Sequence, residues 1–175
     1  MLSRFRGRHA GPDEAVRVHG GHTTRPRNPD FERQESWARE AYELIRRQDD
    51  SEILNRNLLD APRLDGSRGF TLAEIQQIRQ HIFFETHPLD DYAGGVTHQR
   101  YAPSPDMAEA WLRLRRGRPL PEDYVLLEHE IAESRYYRDH PGATYREAHA
   151  AANLVANWQR ITPDPTYEDF ADLGG

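Results

Sequence analysis

Two helix signals separated by a short loop constrain the fold of this chain more than any other feature. A helix is predicted over residues 121–139, and Thr144 with Glu147 forms a capping box that starts a second helix over residues 145–158. The loop of residues 140–143 is too short to let the two helices separate, so they are expected to pack antiparallel. The sequence therefore predicts a helical hairpin at the C-terminal end of the fold.

The first helix of this hairpin is apolar on two opposite faces. One face carries Val125, Leu126, Ala132 and Tyr136, and the other carries Leu127 and Ile131. A helix of this kind is normally sandwiched between neighbours, which would surround His129 and Glu133 on the first face with apolar groups. Because a buried carboxylate costs several kcal/mol unless something pairs with it, Glu133 requires a partner.

The second helix supplies that partner. Glu133 lies six residues before the end of the first helix and His149 about five residues after the start of the second, so their side chains stand at a similar height above the loop. By the same count, His129 is level with Asn153. The hairpin geometry therefore predicts that the imidazoles of His129 and His149 lie close to the carboxylate of Glu133.

His129, Glu133 and His149 make up the His₂Glu ligand set of a catalytic zinc site, which leaves a fourth position for water. The chain has no Cys, so a divalent metal, zinc or a similar ion, would have to be held by His, Asp or Glu. Glu130 lies beside His129 as a candidate catalytic base. The zincin motif H-E-x-x-H requires His at the position of Glu133, so the pattern departs from that class of peptidase.

Two other interpretations of the cluster stay open. In a metal-free catalytic site, Glu133 orients an imidazole and shifts its pKa for acid–base chemistry. In a structural module, His129, Glu133, His149 and Asn153 form a satisfied polar network that fixes the register of the hairpin.

A further capping box starts a helix predicted over residues 71–86, which carries a second group of chemistry-bearing side chains. His81 lies on this helix with Glu85 four residues later, and His87 follows directly. His81 and His87 are secondary candidates that could complete the site.

The remaining pattern predicts an all-α fold, a single compact helical domain of about five to six helices. Other helices are predicted over residues 29–49, 53–59 and 104–116, and residues 88–103 are predicted to be a loop or a short extended piece. The predicted organisation is a flexible basic arm or linker over 1–28, the helical domain over 29–160, and an irregular acidic tail over 161–175.

Charge is unevenly distributed along the 175 residues. Residues 1–27 have a net charge of +4, which leaves −10 for the remainder of a chain whose net charge is −6. An acidic body repels polyphosphates unless metal ions or the arm offset its field, which argues against general nucleic-acid binding. The sequence has neither a long apolar run nor a signal-peptide pattern. We therefore expect a soluble protein without membrane contact, either cytoplasmic or delivered by a secretion system as part of a larger assembly.

Several segments together resemble a known class of bacterial protein. They are residues 70–71, 81–83, 107–114 (MAEAWLRL), 126–133 (LLEHEIAE) and 145–153 (YREAHAAAN). Over roughly residues 70–158 the chain resembles the helical C-terminal modules at the tips of bacterial polymorphic toxins, including the Rhs/YD-repeat type. The resemblance implies an effector domain, often a nuclease or another hydrolase, that is neutralised by a cognate immunity protein.

These observations give one leading hypothesis and two alternatives. The leading hypothesis is a toxin-like hydrolase that uses the His129, Glu133 and His149 cluster to activate water, with a phosphodiester, and so a nucleic acid, as the favoured substrate. The alternatives are a non-catalytic helical binding module, and a metallopeptidase-like enzyme with Glu130 as base. An enzyme places the cluster at a solvent-accessible cleft, whereas a structural module seals it under side chains such as Trp158.

Overall fold

This computed structural model describes residues 18–19, 22–23, 29–91 and 93–164. These residues contain seven helices and four short strands. The helices are α1 (Pro29–Arg47), α2 (Ser51–Asn57), α3 (Leu72–Phe83), α4 (Pro105–Arg115), α5 (Pro121–Asp139), α6 (Tyr145–Val155) and α7 (Trp158–Ile161). The strands are β1 (Val18–His19), β2 (His22–Thr23), β3 (His87–Asp90) and β4 (Val96–Gln99). The described residues are mostly helical, which confirms the predicted fold class.

Side-chain caps determine where several helices begin. Thr71 accepts a hydrogen bond from the backbone of Glu74, whose side chain bonds back to Thr71 at the start of α3. Thr144 and Glu147 form the same capping box at the start of α6, and the side chain of Ser104 caps α4. Caps of this kind each stabilise a helix by about 1 kcal/mol. These local signals explain why the starts of three helices could be located from the sequence.

The predicted helix over residues 145–158 is wrong in its last turn. Helix α6 ends at Val155 because Ala156 takes an extended conformation, with φ −150° and ψ 103°. Asn157 then caps the separate short helix α7 by accepting a hydrogen bond from the backbone of Arg160. The break leaves the carbonyl of Ala156 outside the helix, where it accepts a hydrogen bond from a side chain of α5.

Residues 88–103 contain a β-hairpin, one of the two forms that the sequence left open. Strands β3 and β4 pair antiparallel, with His87 opposite Gln99. Asp91 holds the turn because its carboxylate accepts hydrogen bonds from the backbones of Ala93 and Gly95. The hairpin brings His87 back beside the end of α3.

The two predicted end segments fall largely outside the described residues. Of the predicted arm, the structure describes only β1 and β2, which pair antiparallel. Of the predicted tail, it describes Ile161 in α7 and residues 162–164. Within the described part of the chain, no helix combines the length and apolar character needed to cross a membrane.

Helix α5 occupies the centre of the fold, as its two apolar faces predict. It packs against α3, α4, α6 and α7. Leu126, Leu127 and Ile131 are buried in a core that also contains Trp111 and Trp158. His129 and Glu133 are therefore held on a helix that is packed on several sides, a favourable position for a precisely built site.

Arg63 connects α3 to α5 through ion pairs with a glutamate on each helix. Its guanidinium donates to Glu128 on α5 (Nε to Oε1, 2.6 Å) and to Glu74 on α3 (NH1 to Oε2, 3.0 Å). It also lies 3.9 Å from the centre of the Phe70 ring. Because this pairing is largely buried, removal of Arg63 leaves two carboxylates without their main counter-charge.

We expect Arg63→Met to lower the free energy of unfolding by about 3–5 kcal/mol, because breaking a buried ion pair strands the remaining charge. Arg135→Met is the matched control, since Arg135 binds the same Glu74 from an exposed position (3.1 Å) and should contribute less than about 1 kcal/mol. Urea unfolding followed by tryptophan fluorescence measures both. Equal losses in the two variants would show that Arg63 does not hold the helices together.

Candidate metal centre

The carboxylate of Glu133 lies at the centre of the candidate site and is completely buried. Its Oε1 atom accepts a hydrogen bond from His81 Nε2 (3.0 Å) and a short one from the hydroxyl of Tyr101. Its Oε2 atom lies 3.2 Å from Nδ1 of His149 and 3.5 Å from Nε2 of His129. Three imidazoles and one phenol thus surround a single buried carboxylate.

Four separate parts of the fold position these groups. Helix α5 presents His129 and Glu133 one turn apart on one face, and the 140–143 loop folds α6 back so that His149 meets them. His81 comes from the last turn of α3, and Tyr101 follows β4. The structure therefore brings the three predicted ligands together, and it adds two groups from outside the hairpin.

His129 has one satisfied ring nitrogen and one that lacks a partner. Its Nδ1 donates to the backbone carbonyl of Ala156 (2.9 Å). Within the described part of the chain, Nε2 is buried without a hydrogen-bond partner, and it faces Glu133 Oε2 across 3.5 Å. In the neutral imidazole this would set a lone pair against a carboxylate oxygen, so the gap requires a proton on Nε2 or a cation between the two atoms.

His149 connects the cluster to solvent. Its side chain is 15% exposed, whereas those of His129 and Glu133 are at most 1% exposed. His149 Nε2 lies 3.1 Å from Asn153 Nδ2 and 3.4 Å from Gln159 Oε1, so both tautomers of the ring find a partner. Asn153 therefore contacts His149, and its own Oδ1 is buried with no hydrogen-bond partner in the part of the chain that the structure describes.

His81 and His87 lie directly beside the predicted cluster. His87 Nε2 donates to the backbone carbonyl of His81 (2.8 Å), and the His87 ring stacks on Tyr101 with 4.0 Å between ring centres. His98, by contrast, is an exposed residue of β4. Sequence reasoning missed Tyr101, which lies 32 residues from Glu133 in an irregular segment where no periodicity reports burial.

Glu130, the predicted base, is buried behind the cluster. Both of its carboxylate oxygens are buried, neither has a hydrogen-bond partner in the described part of the chain, and Oε2 lies 3.7 Å from His81 Nε2. Burial and the charge of Glu133 raise its pKa to about 8, against the opposing influence of His129 and His81. Without a bound metal, these surroundings therefore favour the protonated form of Glu130.

The other groups respond to the same buried charge. Burial favours a raised pKa for Glu133, but the neighbouring imidazoles of His129, His149 and His81 hold it well below the usual carboxyl range. Burial alone would lower the pKa of His81, but nearby carboxylates, chiefly that of Glu133, raise it to about 9. His87 behaves oppositely, since burial and the charge of His81 lower its pKa to about 4.

The donor sets and spacings of these buried groups could hold a metal ion. Three sets have ligand atoms within 4.8 Å of one another: His129, Glu133 and His149; His81, Glu130 and Glu133; and His81, Glu85 and His87. In the first set, the 3.2 and 3.5 Å separations from Glu133 Oε2 match the edge of a tetrahedron with bonds of about 2.0–2.1 Å.

Comparison with known proteins returns no match to a family model, to a curated protein or to a solved structure.

We expect the metal-free protein to lose stability as the pH rises from 6.5 to about 9, above the range in which the lowered pKa of His87 acts in the opposite direction. His81 has a pKa of about 9 in the folded state and an ordinary value of 6.5, so its contribution is complete below pH 6.5 and is lost as the pH rises through 9. Glu130 acts in the same direction between pH 4.5 and 8. Urea unfolding in EDTA across this range should show a shallower fall for His81→Gln than for the wild type. Identical slopes would contradict a protonated His81.

Tyr101→Phe should lower the free energy of unfolding by about 1.5–3 kcal/mol, because it removes a buried hydrogen bond to an ionised group. The ring itself is retained, so its stacking on His87 persists. Tyr136→Phe is the control, since Tyr136 stacks on His140 outside the cluster. Chemical unfolding of the metal-free proteins at pH 7 compares the variants, and a Tyr101 effect no larger than the control would remove the hydroxyl from the network.

Proposed function

We propose that this chain is a toxin-like, metal-dependent hydrolase whose divalent ion is held by His129, Glu133 and His149. The observation that carries the proposal is the gap between His129 Nε2 and Glu133 Oε2, where two potential metal ligands face each other with no hydrogen bond between them. A cation satisfies both atoms at once.

The surroundings of the three ligands support metal binding. Metal-ligating histidines usually donate their second ring nitrogen to an oxygen, which fixes the ring and its tautomer. His129 does so through Nδ1 to Ala156. If His149 binds the ion through Nδ1, its Nε2–H has the side-chain oxygen of Gln159 within 3.4 Å.

Hydrolysis is the chemistry that suits this ligand set. Zinc held by two imidazoles and a carboxylate keeps a position for water and lowers the pKa of that water to about 7. His149 is the ligand that reaches the surface, so substrate would approach from its side. His81 and Tyr101 hold Oε1 of Glu133, which leaves Oε2 for the ion.

The substrate class and the biological role rest on sequence resemblance. The likeness to polymorphic-toxin modules favours a phosphodiester substrate and a cognate immunity protein as partner. A bound cation would also offset the acidic character of the chain at the point where a phosphate approaches. The metallopeptidase alternative is less well supported, because Glu130 is completely buried and the motif lacks the second histidine.

A purely structural role is the second candidate. It is favoured by the depth of the cluster and by the hydrogen bonds that Glu133 already accepts from His81, Tyr101 and His149. In this case protons on the imidazoles compensate the carboxylate, and the network fixes how α3, α5 and α6 pack.

Metal content separates these functions. After equilibrium dialysis against Zn²⁺, we expect His129→Gln to retain one ion fewer per chain than the wild type, whereas His140→Gln, on the exposed end of the hairpin, retains the wild-type amount. Hydrolysis of bis(p-nitrophenyl) phosphate and of RNA and DNA should depend on Zn²⁺ and be lost in His129→Gln.

Equal zinc contents in the wild type and His129→Gln would remove the metal site and leave the structural network. Zinc binding without hydrolysis of any phosphodiester, together with cleavage of casein, would favour the peptidase alternative. Circular dichroism of each variant checks that the helical fold is retained.

A further inference from the structure

We infer that a second divalent-cation site, of the kind that takes zinc, lies beside the first and is formed by His81, Glu85 and His87. The ligand atoms of these three residues lie within 4.8 Å of one another. They come from the end of α3, the turn that follows it and the first residue of β3. The donor set, two imidazoles and a carboxylate, is one that zinc and similar ions prefer.

His81 has one ring nitrogen committed and the other available. Nε2 donates to Glu133 (3.0 Å), while Nδ1 is buried with no hydrogen-bond partner among the described residues, 3.7 Å from Glu85 Oε2. A histidine whose outer nitrogen donates to a carboxylate is the usual arrangement behind a metal-ligating nitrogen. The unpartnered Nδ1 of a completely buried ring therefore points to a cation shared with Glu85.

His87 shows the same division of roles. Its Nε2 donates to the carbonyl of His81 (2.8 Å), which leaves Nδ1 of the neutral ring with a lone pair. The ring is held on two sides, by stacking on Tyr101 and by an edge contact with His81 at 4.6 Å between ring centres. A ligand fixed in this way loses little conformational entropy when an ion binds.

Glu85 supplies the entry to the site. Its side chain is 46% exposed, so an ion can reach His81 and His87 from solvent, and water can fill the remaining coordination positions. It lies four residues after His81, and its backbone still bonds Gln80 at the end of α3.

The second site does not depend on the first being a metal site. An ion bound to Nδ1 would hold the His81 ring in place and would thereby fix the hydrogen bond from Nε2 to Glu133. It would also tie the β3–β4 hairpin to α3. Binding of the ion replaces any proton on Nδ1, so one proton is released for each ion taken up by the protonated ring.

The test uses the full chain in a His129→Gln background, in which the first site is removed. Isothermal titration with Zn²⁺, and with Co²⁺ followed by absorption, should show one remaining ion per chain. Adding Glu85→Gln or His87→Gln should weaken this binding at least about tenfold. Adding His98→Gln, an exposed histidine of β4, should not change it.

The outcomes separate the two sites. If the His129→Gln protein binds no ion, or if Glu85→Gln leaves its affinity unchanged, the second site is refuted whatever the first one does. If the wild type and His129→Gln bind equally but Glu85→Gln loses an ion, the second site stands and the proposed hydrolytic centre fails. Because Glu85 lies at the surface, its isosteric replacement keeps the test independent of folding.

Discussion

The packing of this structure depends on the compensation of one buried negative charge, the carboxylate of Glu133. Glu133 lies on the central helix with no access to solvent, and an isolated carboxylate in that position would be untenable. Donors therefore converge on it from α3, from α6 and from the segment after β4. The helix packing and the polar cluster therefore depend on each other. The packing buries the charge of Glu133, and that charge permits only helix arrangements that bring hydrogen-bond donors to it.

The parts of the fold that follow from local rules could be predicted from the sequence. The capping boxes of α3 and α6 depend on residues three positions apart, and the two apolar faces of α5 identify it as a central helix. The spacing of four between His129 and Glu133 puts both on one face, and the short loop sets the height of His149. Convergence of these three side chains needs no knowledge of the rest of the molecule.

What could not be predicted depends on contacts between distant parts of the chain. His81 lies 52 residues from Glu133, and their contact requires the packing of α3 on α5 that Arg63 locks. The extended conformation of Ala156 was missed because nothing in its immediate sequence stops the helix. That conformation nevertheless determines the tautomer of His129, because it presents the carbonyl to which Nδ1 donates.

The structural and the metal-binding interpretation share one requirement, which is positive charge beside Glu133. Without an ion, protons on His81 and His129 meet that demand, and the pKa of each is raised accordingly. An ion would meet it by displacing a proton, so the metal-free network would also be the preorganised form of the proposed metal site. A protein that needs only a stable core is satisfied by protons alone. Among the described residues, His129 Nε2 and His81 Nδ1 are buried without hydrogen-bond partners, and each faces a carboxylate oxygen across a gap that an ion could fill.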